Sequence, residues 1–193
     1  ESDVALPIST RPLLIPRTTV AERATHGWAG RLLDLRSEST EVIRTRLQRV
    51  FRDASEAQIR AWDDSIPLLR RELSELVAAE SDAAGDGAIL EYELPLELRR
   101  PDVVLLLAGP VVVLELKGKA RPDHADLDQV AAYARDLRSY HRECHGREVV
   151  AVLVPTRALG YVGEFAGTHV VGPDHLDLFL RQLRAKNGNG VDL

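Results

Sequence analysis

A chain of 193 residues, 45% of them hydrophobic, is long enough for one domain with a substantial core. Thirty acidic against 25 basic residues, a net charge of −5, exclude a generally basic nucleic-acid-binding surface and leave room only for a local basic face. One cysteine, Cys144, excludes an intramolecular disulfide and gives no zinc signature, and no apolar stretch approaches the roughly 20 residues needed to cross a bilayer, so a soluble, cytoplasmic protein with no membrane partner is expected.

In chain order, residues 1 to 20 carry Pro7, Pro12 and Pro16 without a sustained period and read as extended. Thr40 is placed to cap a helix with Ile43, Leu47, Val50 and Phe51 at helical spacing, and Ser55 to cap another containing Ile59 and Trp62. Ser65 followed by Pro67 reads as a fresh helix start, with Leu69, Leu73, Leu76 and Val77 forming a stripe to about Glu80. Residues 89 to 94 alternate as a strand should, with Glu91 and Glu93 on one face. Val103 to Leu107 and Val111 to Leu114 are near-continuous apolar runs, the pattern of central strands covered on both faces. Beyond them the pattern predicts a helix over 123 to 140, with Leu127, Val130, Ala134 and Leu137 inward, and a strand over 148 to 154. A loop over 156 to 167, a short strand over 168 to 171 and a helix over 173 to 186 complete the chain.

The chemistry concentrates on the two apolar strands. A two-residue loop at Ala108-Gly109 pairs Leu107 with Pro110 and sets Asp102 opposite Glu115, with Lys117 on the same face as Glu115. The register is a condition of this reading, because a slip of one residue would turn Asp102 to the other face. Carboxylates and ammonium groups are rarely buried unless paired or metal-bound. Two close carboxylates require a shared proton or a cation between them. Oxygen-only ligands favour Mg²⁺ or Mn²⁺, and a divalent ion beside a lysine suits phosphodiester hydrolysis.

Pro101-Asp102 followed by Glu115-Leu116-Lys117 resembles the PD-(D/E)xK nuclease superfamily. Gln129 and Tyr133 add the Gln-x-x-x-Tyr spacing of its RecB-like branch. A wider stretch, from Gln58-Ile59-Arg60-Ala61-Trp62 through Leu90 to Pro95 and on to Asp136 to His141, is similar to the region preceding the motor in bacterial Schlafen-type DNA/RNA helicases. The resemblance implies a restriction-endonuclease-like core: an α/β fold with a central mixed sheet flanked by helices and an N-terminal helical extension. It divides the chain into an extension over 1 to 54, a nuclease-like domain over 55 to 186 and a linker-like tail over 187 to 193.

Under that resemblance Asp102 and Glu115 hold Mg²⁺ or Mn²⁺, with the Leu116 backbone carbonyl as a third ligand, while Lys117, Gln129 and Tyr133 serve the reaction. A further acid completes the metal site, Glu91 or Glu75 being the leading candidates among neighbours that include Glu72 and Glu93. Arg99, Arg100 and Lys119 are candidates for holding phosphate. The implied partners are nucleic acid, DNA ahead of RNA, and a C-terminal helicase domain of a longer protein. No phosphate-binding loop occurs in these residues, so the chain reads as an excised domain. The alternative is a catalytically inactive nucleic-acid-binding or partner-docking module with a nuclease fold; a purely structural dimerisation domain is the third reading.

Overall fold

The computed structural model describes residues 25–94 and 99–188, so the expectations for residues 1 to 20 and for the end of the tail lie outside the described residues. One mixed sheet contains β1 (Trp28–Arg31), β2 (Gly87–Leu90), β3 (Val103–Leu106), β4 (Val111–Lys117), β5 (Val149–Pro155), β6 (Val162–Phe165) and β7 (Thr168–Val171). The spatial order is β1-β2-β3-β4-β5-β7-β6. Pairing is antiparallel from β1 to β4, parallel for β4 with β5 and β5 with β7, and antiparallel again between β7 and β6.

Helices cover both faces. α1 (Leu32–Ser37), α2 (Thr40–Val50), α3 (Glu56–Ala79) and α5 (Leu176–Gly188) share one core with Leu90, Val103, Leu105, Val112, Leu114 and Val152 of the sheet. On the other face α4 (His124–Tyr140) packs Val130, Tyr133, Ala134 and Leu137 against Val104, Val111, Val113 and Leu153. The central strands are therefore apolar on both faces because both faces meet a helix layer. The expected α/β architecture, a mixed sheet flanked by helices, is present.

The hairpin has the expected register. Leu107 N–H donates to the Pro110 carbonyl at 3.1 Å, and Gly109 takes the positive φ of 108° that the tight turn needs. The ladder from Leu106 opposite Val111 to Val103 opposite Leu114 continues to set Asp102 opposite Glu115.

Four local expectations need correction. Ser65 and Pro67 do not begin a helix: α3 runs unbroken past Pro67, burying Trp62, Ile66, Leu69 and Leu73 along one stripe, and that continuous apolar contact outweighs the lost backbone bond. The strand expected over 89 to 94 ends at Leu90, because Glu91 turns into the left-handed region at φ 52°. β1 is a strand not anticipated in the N-terminal stretch, where Leu90 and Trp28 pair. β6 falls inside the expected loop, its side chains mostly exposed, so no apolar signal marked it. The N-caps at Ser39 and Ser55 each accept a backbone N–H, from Val42 and Gln58 at 3.2 Å, one residue from and at the expected positions.

Candidate active site

Side-chain alternation turns Val104, Val111 and Val113 toward α4, so Asp102, Glu115 and Lys117 face the same way at the open end of β3 and β4. There α4 supplies Gln129 and Tyr133, one helical turn apart. Lys117 Nζ donates to Glu115 Oε1 at 2.8 Å and to Gln129 Oε1 at 3.0 Å. Gln129 Nε2 donates to Glu115 Oε1 at 2.9 Å and to Tyr133 Oη at 2.8 Å. Asp102 Oδ2 accepts the Leu116 N–H at 2.7 Å, while the Asp102 N–H approaches Glu115 Oε2 at 3.5 Å. Glu115, Lys117, Gln129 and Tyr133 are thus tied side chain to side chain, and Asp102 is held to them through the backbone of β4.

Charge in this group is strained by dehydration. Burial raises the Asp102 carboxyl well above the usual aspartate range, and the like charges of Glu115 and Glu91 push it further. Glu115, buried, is also raised by loss of water, although the Lys117 ammonium opposes the shift. Burial alone would lower Lys117, yet its hydrogen bond to Glu115 and the surrounding carboxylates leave it raised and firmly cationic. Tyr133 is raised by burial. One ammonium faces a coupled carboxyl pair, so the site favours an added proton or an added cation.

The cavity over these groups, 530 Å³, extends across the sheet end to α3, with Gln58, Trp62, Glu91 and Arg100 in its wall. Glu91 owes its position to the left-handed turn. Had β2 continued, alternation would have aimed Glu91 toward α4 with Ile89. Instead its Oε1 accepts Trp62 Nε1–H at 2.7 Å and Gln58 Nε2–H at 3.2 Å, both from α3. Its Oε2 lies 3.6 Å from Arg100 Nε, and the Arg100 guanidinium lies 4.0 Å over the Phe51 ring. Glu91 N–H donates to the Asp102 carbonyl at 3.0 Å, which fixes the backbone on which Asp102 sits. Burial raises the Glu91 carboxyl, while the Trp62 hydrogen bond and Arg100 charge act against that.

The structure therefore gathers Asp102, Glu115, Lys117, Gln129, Glu91, Arg100 and the Leu116 backbone around one cavity, with Tyr133 bonded to Gln129. It does not bring in the others. Lys119 pairs with Asp123 at 2.9 Å and Asp126 at 2.6 Å outside that wall. Arg99 is exposed and does not line the cavity. Glu75 clusters elsewhere: carboxylate oxygens of Glu72, Glu75 and Asp177 lie within 4.8 Å of one another on α3 and α5, a group that could hold a metal ion. Glu93 is half-buried and also outside the cavity wall. Sequence reasoning missed Gln58 and Trp62 as site donors. Their i, i+4 spacing, the same as Gln129 and Tyr133, was the available signal.

No protein-family model, no curated protein and no solved structure matches this chain.

Proposed function

We propose that this chain is a metal-dependent phosphodiesterase domain of the PD-(D/E)xK type, with a restriction-endonuclease-like core, acting on nucleic acid, DNA ahead of RNA. The observation that carries the reading is the meeting of Asp102, Glu115 and Lys117 at one sheet end, open to a cavity, with Gln129 bonded to two of them. A helicase domain of Schlafen type in the same longer protein is the partner that the sequence resemblance suggests.

The residues fit a hard divalent cation, Mg²⁺ or Mn²⁺. Their donor set is oxygen only, and the coupled carboxyls of Asp102 and Glu115 lack sufficient positive charge. The Leu116 N–H points at Asp102, and a strand residue turns its N–H and C=O to the same side, so its carbonyl is available as a further ligand. A bound divalent ion would supply Lewis-acid polarisation of the phosphoryl oxygen and a more acidic water. Lys117, cationic and held by Glu115 and Gln129, orients the attacking water and offsets charge developing on phosphorus-bound oxygen. Gln129 keeps Lys117 and Glu115 in register. Arg100, braced by Glu91 and Phe51, presents positive charge to a phosphate at the cavity mouth.

The test is incubation of the domain with labelled single- and double-stranded DNA and RNA in Mg²⁺, Mn²⁺ or EDTA. Cleavage that requires metal and disappears in Lys117→Ala supports the reading. Binding without cleavage under every metal condition assigns the inactive module instead, and absence of both removes nucleic acid as the substrate.

A further inference from the structure

A second cavity, 610 Å³, lies against the β4–α4 connection, lined by Tyr161, Phe165, Leu127 and Pro155 together with Arg121 and Asp123. The size suits a small-molecule-scale group. It is continuous in chain with the candidate active site: Lys117 and Gly118 line one cavity and Ala120 to Asp123 line the other, while α4 gives Gln129 to the first and Leu127 to the second.

The surface is built rather than incidental. Tyr161 and Phe165, on one face of the β6 segment, both line the cavity and remain 39 and 49% exposed. Tyr161 and Phe165 flank Gly163, and a Cβ at Gly163 would sit 3.1 Å from the Tyr161 hydroxyl, so the glycine lets the ring lie along the strand. The Tyr161 carbonyl is pinned by the Gly172 N–H at 2.6 Å.

The local charge selects the occupant. Asp123 shares the Lys119 ammonium with buried Asp126, and Glu164 lies 3.7 Å from His169. Arg121, which lines the cavity, is exposed and forms no ion pair with any described residue. Aromatic faces beside one unpaired arginine suit a nucleobase with its phosphate, since stacking is indifferent to base identity and a guanidinium group suits phosphate.

We infer that Tyr161 and Phe165 form a base-stacking subsite for an unpaired nucleobase of the strand whose phosphodiester lies at Asp102 and Glu115. The inference rests on the phosphodiesterase reading and narrows its substrate to nucleic acid with a single-stranded segment beside the scissile bond.

The experiment measures fluorescence anisotropy of a labelled oligo-dT and of a blunt duplex in EDTA at low salt, for wild type, Tyr161→Ala, Phe165→Ala and Phe165→Trp. Each alanine variant is expected to weaken oligo-dT binding by about 5- to 150-fold, with Phe165→Trp retaining wild-type affinity and all melting midpoints alike. Undiminished oligo-dT affinity in both alanine variants, or no wild-type affinity for oligo-dT, overturns the subsite. A switch from dimer to monomer in the alanine variants, with oligo-dT affinity unchanged, overturns it in favour of a second copy as occupant. Metal-dependent cutting with unchanged affinity in the alanine variants discards the subsite alone. Intact stacking with no cutting discards the phosphodiesterase alone.

Discussion

Asp102→Asn separates the electrostatic cost of the site from its chemistry. The substitution removes one of two coupled carboxyls while keeping an oxygen able to accept the Leu116 N–H, now 2.7 Å away. An uncompensated buried polar group costs about 1–3 kcal/mol. Residue 102 keeps some exposed surface and its dehydrated carboxyl is partly compensated by the Leu116 N–H, so the lower part of that range applies, and the metal-free variant should gain about 1–2 kcal/mol. For a domain of this size that is a rise of about 2–8 °C in melting midpoint. The pH dependence has a definite sign. A carboxyl raised in the folded state binds more protons folded than unfolded, so wild-type stability falls as pH rises from the ordinary aspartate value through the raised one. The advantage of the variant is therefore small at the acid end, grows across that window and then levels off. Divalent metal should reverse the order, since a ligand at ten times its dissociation constant stabilises the wild type by about 1.4 kcal/mol and the variant by much less. Thermal melts from acid to neutral pH, in EDTA and in Mn²⁺, measure each quantity. A metal-free variant that melts below wild type near neutrality, or an equal Mn²⁺ shift in both proteins, would refute the argument.

Lys117→Met should slow metal-dependent cleavage by about 10²–10³ while keeping a cooperative melt, as read by gel assay and circular dichroism; wild-type rates would remove Lys117 from the reaction. Trp62→Phe deletes the 2.7 Å donor to buried Glu91 and should cost about 1–3 kcal/mol, seen as a lower urea midpoint at unchanged slope. Buried Arg184 binds Asp86 at 2.8 Å, Asp82 at 3.0 Å and also Glu80, tying α5 to the segment before β2. Arg184→Leu should therefore cost about 3–5 kcal/mol, and a loss below about 1 kcal/mol would show that these acids manage without it.

The sequence made the acidic hairpin legible because three constraints agreed: two apolar runs, a glycine able to take positive φ, and charges that no covered strand tolerates without cause. Asp102 and Glu115 follow from that pairing alone. Gln129 and Tyr133 were legible through helical spacing. α3 was misread although its stripe Trp62, Ile66, Leu69, Leu73, Leu76 passes through Pro67 in step; a serine and a proline imitate a helix start, and only the sheet below reveals which preference prevails. The turn at Glu91 left no local mark, since a non-glycine residue at φ 52° is held by distant partners, Trp62 and Gln58 from α3 and Asp102 across the sheet. Glu75 and Glu91 were therefore indistinguishable as carboxylates until the backbone sent one to the cavity and the other to Glu72 and Asp177.

Net charge is a poor guide here, because it does not say where charge lies: six acids and four arginines are held in ion pairs away from the cavities. Arg44 with Asp63, Arg46 with Glu38, Arg71 with Glu72, and Arg184 with three acids all lie on the α2, α3 and α5 side. Arg121 lines the second cavity without such a partner, and Arg100 lines the candidate-site cavity. On the proposed function, one or two phosphate contacts, at Arg100 and Arg121, are expected despite the charge of −5. At about −0.7 per contact for single strands, the logarithm of affinity should fall with the logarithm of salt at a slope of about −0.7 to −1.4. Arg121→Gln should flatten that slope by about 0.7, because it deletes one contact and leaves the stacking rings in place. A slope near zero in the wild type would mean that no phosphate is gripped, and the acidic balance of the whole chain would then be the better description of its surface.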